Sequence, residues 1–380
     1  MSYQIPNAEQ LKKVKELCEI ESPYDNFEKT QSLFEEAMLE NIHWHSERNQ
    51  FYKNFLNLNK FDITQEINLK TIPAVIATFF KRNEICSVDK SDISLHLTSS
   101  GTTGQKSQMF FDAWTIGSAQ EMVAKIFKHY DWISDKPVNY LLYTYETEAD
   151  SKLGTAYTDH FLASFAPTQN VEIALKLGQS GSHRFDLHGT IKALEKFNEE
   201  KLPVRIFGFP AFFHATLVEM DRRNIRLNLD DESLVFLGGG WKGLADQQVD
   251  KRETYKLATK VLGIPDHRLR DGFGSVEHCI PYVECENHEF HIPVWSRVEI
   301  LDVKTRKPLA MGEKGFLTLI SPYITSVAAN AVMMTDKASL HEANECGCKT
   351  KTPFFRLYGR AGVSKSKSCA VAASELLGGA

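Results

Sequence analysis

Nothing in these 380 residues comes near the roughly 20-residue apolar run that a membrane helix needs. The first twenty residues mix acids and lysines without an apolar h-region. Neither a spanning segment nor a secretory leader is expected, and the sequence reads as cytoplasmic. Positive charge is not in excess: 44 Lys and Arg stand against 49 Asp and Glu, scattered along the chain, which leaves no electrostatic footprint for nucleic acid. Cysteine is sparse and odd in number, seven in all, so metal binding or thiol chemistry is expected rather than a disulfide framework. Repeats, low-complexity tracts and flexible linkers are missing as well.

What remains is an ordinary globular composition, 42% hydrophobic and 24% charged, long enough for one large lobed domain or two or three smaller ones. From Asn7 to Ile20, Leu11, Val14, Leu17 and Cys18 fall at helical spacing. A second amphipathic helix runs from Asn26 to about Asn49 through Phe27, Phe34, Met38 and Ile42. His43 and His45 lie two apart on it and share no face, so they read as solvated or packed rather than as metal ligands. Ile72-Pro73 breaks the chain before Val75–Phe80. Further on, the pattern predicts a helix from Trp114 to Tyr130 and a buried strand from Val138 to Tyr145. A helix within 183–200 takes Asp186 as its N-cap, and a strand at Val204–Phe207 leads into the turn Gly208-Phe209-Pro210. This alternation favours an α/β architecture.

Three stretches carry chemistry. Thr98, Ser99, Ser100, Gly101, Thr102, Thr103 and Gly104, with Lys106 just beyond, form a loop of hydroxyl and amide donors with one cation, which suits a polyphosphate; a surface turn is the plain alternative. Gln105 separates Gly104 from Lys106, so it is not a Walker loop. Leu234 to Leu237 is an apolar strand that runs into Gly238, Gly239 and Gly240 and then Trp241-Lys242, where a ligand could lie against bare backbone or the chain simply turn. The third is Asp271-Gly272-Phe273-Gly274-Ser275-Val276-Glu277-His278. Glu277 there is either a holder of Mg²⁺ on a phosphate or a surface carboxylate.

Together these segments resemble the adenylate-forming (acyl-CoA synthetase-like) superfamily, and within it the LuxE-type long-chain acyl-protein synthetases, with phenylacetate–CoA ligases as the next neighbours. Ser99–Gly104 is similar to the family's phosphate loop, and Gly238–Lys242 to the stretch lining its adenine pocket. Phe273 to Glu277 resembles the aromatic-Gly-x-Thr-Glu motif, whose ring lies near adenine and whose Glu positions Mg²⁺. Gly312 to Leu317 looks like the Gly-Glu-x-Gly turn. Asp336 stands where the superfamily binds the ribose, and Arg360 where an Arg contacts ribose and phosphate near the hinge. The resemblance implies an α/β fold with mixed sheets flanked by helices. Residues 1–70 would form a helical segment packed on an adenylate-forming core at 71–358, and 359–380 a hinge and tail in place of the usual C-terminal domain. It implies ATP and Mg²⁺ as cofactors.

The chain departs from the pattern at Gln105-Lys106, where many relatives have Lys-Pro, at Val276, where Thr is usual, and after Arg360, which only twenty residues follow. By resemblance, Cys369 takes the acyl group from the adenylate as a thioester; Lys365 and Lys367 beside it would lower its pKa. An acyl-protein reductase or carrier protein would take the acyl group onward, and the oligomeric state, a dimer included, stays open. The acid is expected to be a fatty acid, with Phe207, Phe209, Phe212 and Phe213 as candidates for an apolar pocket or as core. The alternatives are a CoA ligase and a non-catalytic acyl- or nucleotide-binding protein. Finally, Cys285, His291, Cys346 and Cys348 are candidate ligands of a structural Zn²⁺, with His278, Cys279 and His288 as rivals and free buried thiols as the alternative.

Overall fold

The computed structural model describes residues 3–64, 67–98, 107–146, 161–178, 182–241 and 247–360, and elements are numbered within them. The chain opens with helices α1 (Lys12–Cys18), α2 (Phe27–Arg48) and α3 (Gln50–Leu58). The first is shorter than its periodicity predicts. Asn7 Oδ1 accepts from the backbone N–H of Glu9 and Gln10, which holds the chain in a turn until Leu11. The segment predicted at Val75–Phe80 divides into strand β1 (Val75–Ile76) and a 3₁₀ turn, Ala77–Lys81.

Two sheets follow. The first has the order β10-β9-β8-β7-β4-β5-β6, built from β4 (Val138–Tyr145), β5 (Thr168–Leu177), β6 (His183–Phe185), β7 (Val204–Gly208), β8 (Leu234–Gly238), β9 (Leu269–Phe273) and β10 (Tyr282–Val283). Its inner strands are parallel and its two edge strands antiparallel. Both faces are covered at the centre, so β4 and β7 are buried almost end to end, as the middle of a parallel sheet requires. Leu141, Tyr143, Ile206 and Val235 pack under α5 (Leu187–Glu200), α6 (Pro210–Arg222) and α7 (Lys251–Leu262). On the other side Tyr140, Leu142 and Phe207 join the larger core with α4 (Ala113–His129). Asp186 does cap α5, accepting from Gly189 N–H at 3.0 Å. Gly208 is obligatory: its φ is +116°, and a Cβ there would lie 2.3 Å from the Tyr143 carbonyl oxygen.

The second sheet runs β11 (Phe290–His291), β15 (Phe354–Arg360), β14 (Ala331–His341), β13 (Gly315–Ile320), β12 (Arg297–Leu301), with β1 parallel to β14. A hairpin of β2 (Ile93–Thr98) and β3 (Gln108–Asp112) stands apart. α2 is fastened to the loop before β14 by hydrogen bonds from its buried side chains. Asn41 donates to the Ile324 carbonyl and Trp44 to that of Thr325, at 2.9 and 2.8 Å. His45 is buried between Ser87 and the Ile324 carbonyl, and burial pushes its pKa down to about 4. It is a packed, neutral histidine.

Candidate active site

Strand register brings the second and third motifs together. Gly238 at the end of β8 pairs with Gly272 of β9, so the triple-glycine turn and Phe273 leave adjacent strands at their carboxyl ends, the usual ligand edge of a parallel sheet. Gly239 and Gly240 sit at positive φ, +77° and +65°, where a side chain would be strained. Phe273 is held by Phe355, Tyr282 and Phe290, its centroid 5.8 to 6.5 Å from theirs. Beyond it the chain turns so that Glu277 is buried and its carboxylate accepts from the Ser275 hydroxyl.

The second sheet supplies the opposing carboxylate. Asp336 of β14 lies in register with Arg360 of β15, next to a register shift that re-aims the strand. Arg360 Nε donates to Asp336 Oδ1 at 3.3 Å, but the guanidinium is largely exposed while the carboxylate is buried. Burial raises the Asp336 pKa; Arg360 counteracts this and the negative charge of Glu277 adds to it. Glu277 and Asp336, 59 residues apart in sequence, thus sense each other across the junction of the two sheets. Two such carboxylates form a place for a cation or for sugar hydroxyls.

Of the first motif only Thr98, the last residue of β2, falls within the described residues; Ser99 to Lys106 lie outside them, as do Lys242, Lys365, Lys367 and Cys369. Phe207, Phe209, Phe212 and Phe213 are core residues, packed against Tyr140, Tyr143, Tyr145 and Phe185. Their spacing along β7 and α6 turns them inward among rings of their own sheet and its helices.

Sequence reading missed the polar support under Phe273. Glu284, fully buried, accepts from the Asp271 backbone N–H, the Tyr255 hydroxyl and the Lys251 ammonium. Beside it the Asp271 carboxyl is pushed up to about 7, first by burial and then by Glu284. A carboxyl with a raised folded pKa adds stability below its unfolded value near 4, and that contribution is lost as pH rises through about 7. Asp271→Asn keeps the acceptor for Gly272 N–H and removes the charge. The variant should gain melting temperature over the parent at pH 8 and lose most of that gain at pH 4, read from paired thermal melts.

The four predicted metal ligands converge. Cys285 Sγ, His291 Nε2, Cys346 Sγ and Cys348 Sγ all lie within 4.8 Å of one another. Cys285 and Cys346 sulfurs are 3.5 Å apart, and Cys348 Sγ is 3.2 Å from His291 Nε2. Tetrahedral zinc bonds of about 2.3 Å to sulfur and 2.0 Å to nitrogen imply edges of roughly 3.5 Å. The Thr352 carbonyl can only accept, so at 2.6 Å it fixes the proton on His291 Nδ1 and leaves the Nε2 lone pair facing the thiols. Burial raises the Cys285 and Cys346 thiol pKa values, a cost that a divalent cation would reverse. The residues fit the ion. The rivals are engaged elsewhere: His278 with Tyr282 and Ser296, Cys279 with the Val276 carbonyl, His288 with Glu284 and Asp266.

Among the described residues no helix is long and apolar enough to cross a membrane. The profile of the family "Acyl-protein synthetase, LuxE" matches residues 10–378. The long-chain-fatty-acid–luciferin-component ligase of Aliivibrio fischeri is 26% identical over 82% of this chain and 80% of its own length. That of Vibrio harveyi is 22% identical over 80% and 77%. Among solved structures, 2-hydroxyisobutyryl-CoA ligase in the postadenylation state with R3-HIB-AMP superposes with a TM-score of 0.63 at 12% identity, over 96% of this chain and 73% of its own. Its open conformation with 2-HIB-AMP and CoA gives the same TM-score over 82% of that chain. The mixed α/β architecture is therefore that of an adenylate-forming enzyme, and the family match, which spans nearly the whole sequence, makes this chain a member of the LuxE family of acyl-protein synthetases.

Proposed function

We propose that this ligase activates a long-chain fatty acid with ATP and passes the acyl group to its own Cys369. The observation that carries the reading is the seam between the sheets: Gly238 and Phe273 end adjacent strands of one, Phe273 packs on Phe355 of the other, and the charge of Glu277 reaches Asp336, which pairs with Arg360. The acid's carboxylate oxygen attacks the α-phosphorus, and the bond to pyrophosphate breaks. Aligning two anions is the main barrier, so the residues' work is positional and electrostatic. Phe273 and the glycine turn bracket the base. Asp336 accepts from the ribose hydroxyls, and the exposed Arg360 swings from Asp336 to the ribose and phosphate. Hydroxyls and N–H groups from Thr98 to Gly104, with Lys106, hold the phosphate oxygens. Mg²⁺, where bound, would be held by Glu277 and would offset phosphate charge. The Cys369 thiolate then attacks the acyl carbonyl, a thioester forms, and AMP leaves with the electron pair of its C–O bond. A reductase or carrier protein would accept the acyl group next.

Intact-mass spectrometry after incubation with ATP and mixed fatty acids tests this. The expected result is an acyl adduct mapped to Cys369, lost in Cys369→Ser, while acid-dependent exchange of labelled pyrophosphate into ATP persists. Thioester released on free CoA by the Cys369→Ser variant would make the protein a CoA ligase instead. Absence of exchange across a wide acid panel would make it a binding protein. We further propose that Cys285, His291, Cys346 and Cys348 hold a structural Zn²⁺, since four protein ligands leave no open position for chemistry.

A further inference from the structure

At the opposite edge of the first sheet, β4, β7 and β8 begin around a recess of about 70 Å³ whose lining includes Ser134, Arg205, Glu232 and Arg268. Arg205, second residue of β7, pairs in register with Tyr140 and Leu234 and is only 4% exposed. Among the described residues its Nη1 has no carboxylate or carbonyl acceptor, and the polar group beside it is the neutral Tyr140 hydroxyl. A buried cation without a countercharge is costly, because desolvation disfavours the charged form. Burial indeed lowers the Arg205 pKa and Arg268 adds to that shift, while Tyr140 and, more weakly, the charge of Glu232 oppose it. Glu232, whose charge reaches Arg205, is exposed and already paired with Lys136 at 3.0 Å. Asp131, the other acid of the lining, is exposed as well. The lining thus brings Arg205 and Arg268 together with two exposed carboxylates, and among the described residues the Nη1 of the buried Arg205 is without an acceptor.

We propose that this recess binds a small tetrahedral oxyanion of the phosphate class, held by Arg205 and Arg268. The volume accommodates roughly five water-sized atoms, enough for such an ion and too little for a nucleotide. Planar guanidinium groups match its oxygens, which bring both an acceptor for Nη1 and the countercharge that water cannot supply. The site is separate from the nucleotide cleft. Leu234 at the recess and Gly238 at the cleft are the two ends of β8, about 13 Å apart by strand rise.

The probe is inorganic phosphate at constant ionic strength, added to the full chain and to Arg268→Ala and Arg205→Met. Phosphate should raise the wild-type melting temperature saturably beyond a chloride control. In Arg268→Ala, at a partly exposed position, the saturation midpoint should rise at least tenfold with the phosphate-free melting temperature unchanged, and Arg205→Met should show no saturable component. Crystals soaked in phosphate should show a tetrahedral peak against Arg205 Nη1. A wild-type response no larger than chloride's, or one equally strong in Arg268→Ala, would place any bound phosphate elsewhere, in the nucleotide loop above all, and would overturn the proposal. Since neither variant touches the nucleotide cleft, that failure would leave the acyl-transfer reading unaffected.

Discussion

Asp336→Ala should cut acid-dependent pyrophosphate exchange by at least about a hundredfold while leaving the melting temperature close to that of the parent. The size follows from the bonds removed. A charged acceptor on two ribose hydroxyls contributes about 1.5–3 kcal/mol per hydrogen bond, and about 1.4 kcal/mol is a tenfold rate. Stability should change little, because among the described residues the side-chain ion pair lost is one to a largely exposed Arg360, and because burial already holds the Asp336 carboxyl above its ordinary pKa. Asp336→Asn is the informative companion: it keeps an acceptor oxygen and removes repulsion from Glu277, so it should retain more activity than the alanine. Equal exchange by the parent and Asp336→Ala would remove the ribose role from this carboxylate.

Removing the thiol–imidazole cluster should have the largest effect on stability. Cys348→Ser, or prolonged treatment with a strong zinc chelator, should lower the melting temperature by on the order of 10 °C, with zinc content falling from about one per chain in elemental analysis. The topology is the reason for so large a change. Cys285 follows β10, the edge of one sheet; His291 lies in β11, the edge of the other; Cys346 and Cys348 sit in the turn between β14 and β15. A bound ion would therefore clamp the two sheets at the seam where Phe273 packs against Phe355 and where Asp336 faces Glu277. Nucleotide affinity should fall together with stability. Protein purified under reducing conditions without zinc, and indifferent to the chelator, would show that these are free thiols.

Much of this was visible before any coordinates. Period and capping predicted β4 at Val138–Tyr145 and the Asp186 cap, because those features depend on neighbours within a few residues. Residue types marked Gly238–Gly240 and Glu277 as candidates for ligand contact, while Phe273, Asp336 and Arg360 took their expected roles from the family resemblance. The four candidate metal ligands were likewise nameable from residue type and rough spacing, but their convergence was not. Cys285 and Cys346 are 61 residues apart, and only the pairing of β11 with β15 closes that gap.

Two things came from tertiary structure alone. One is the network of Glu284, Asp271, Tyr255 and Lys251, drawn from β9, α7 and the loop after β10, whose charges acquire meaning only once they are buried side by side. The other is the isolation of Arg205, an unremarkable residue in an apolar stretch until the sheet closes over it. Local chemistry decides which element a segment becomes, and it can be read from the order of residues. Which charges end up facing each other depends on strand register and on what covers the strand, and those are properties of the whole folded chain.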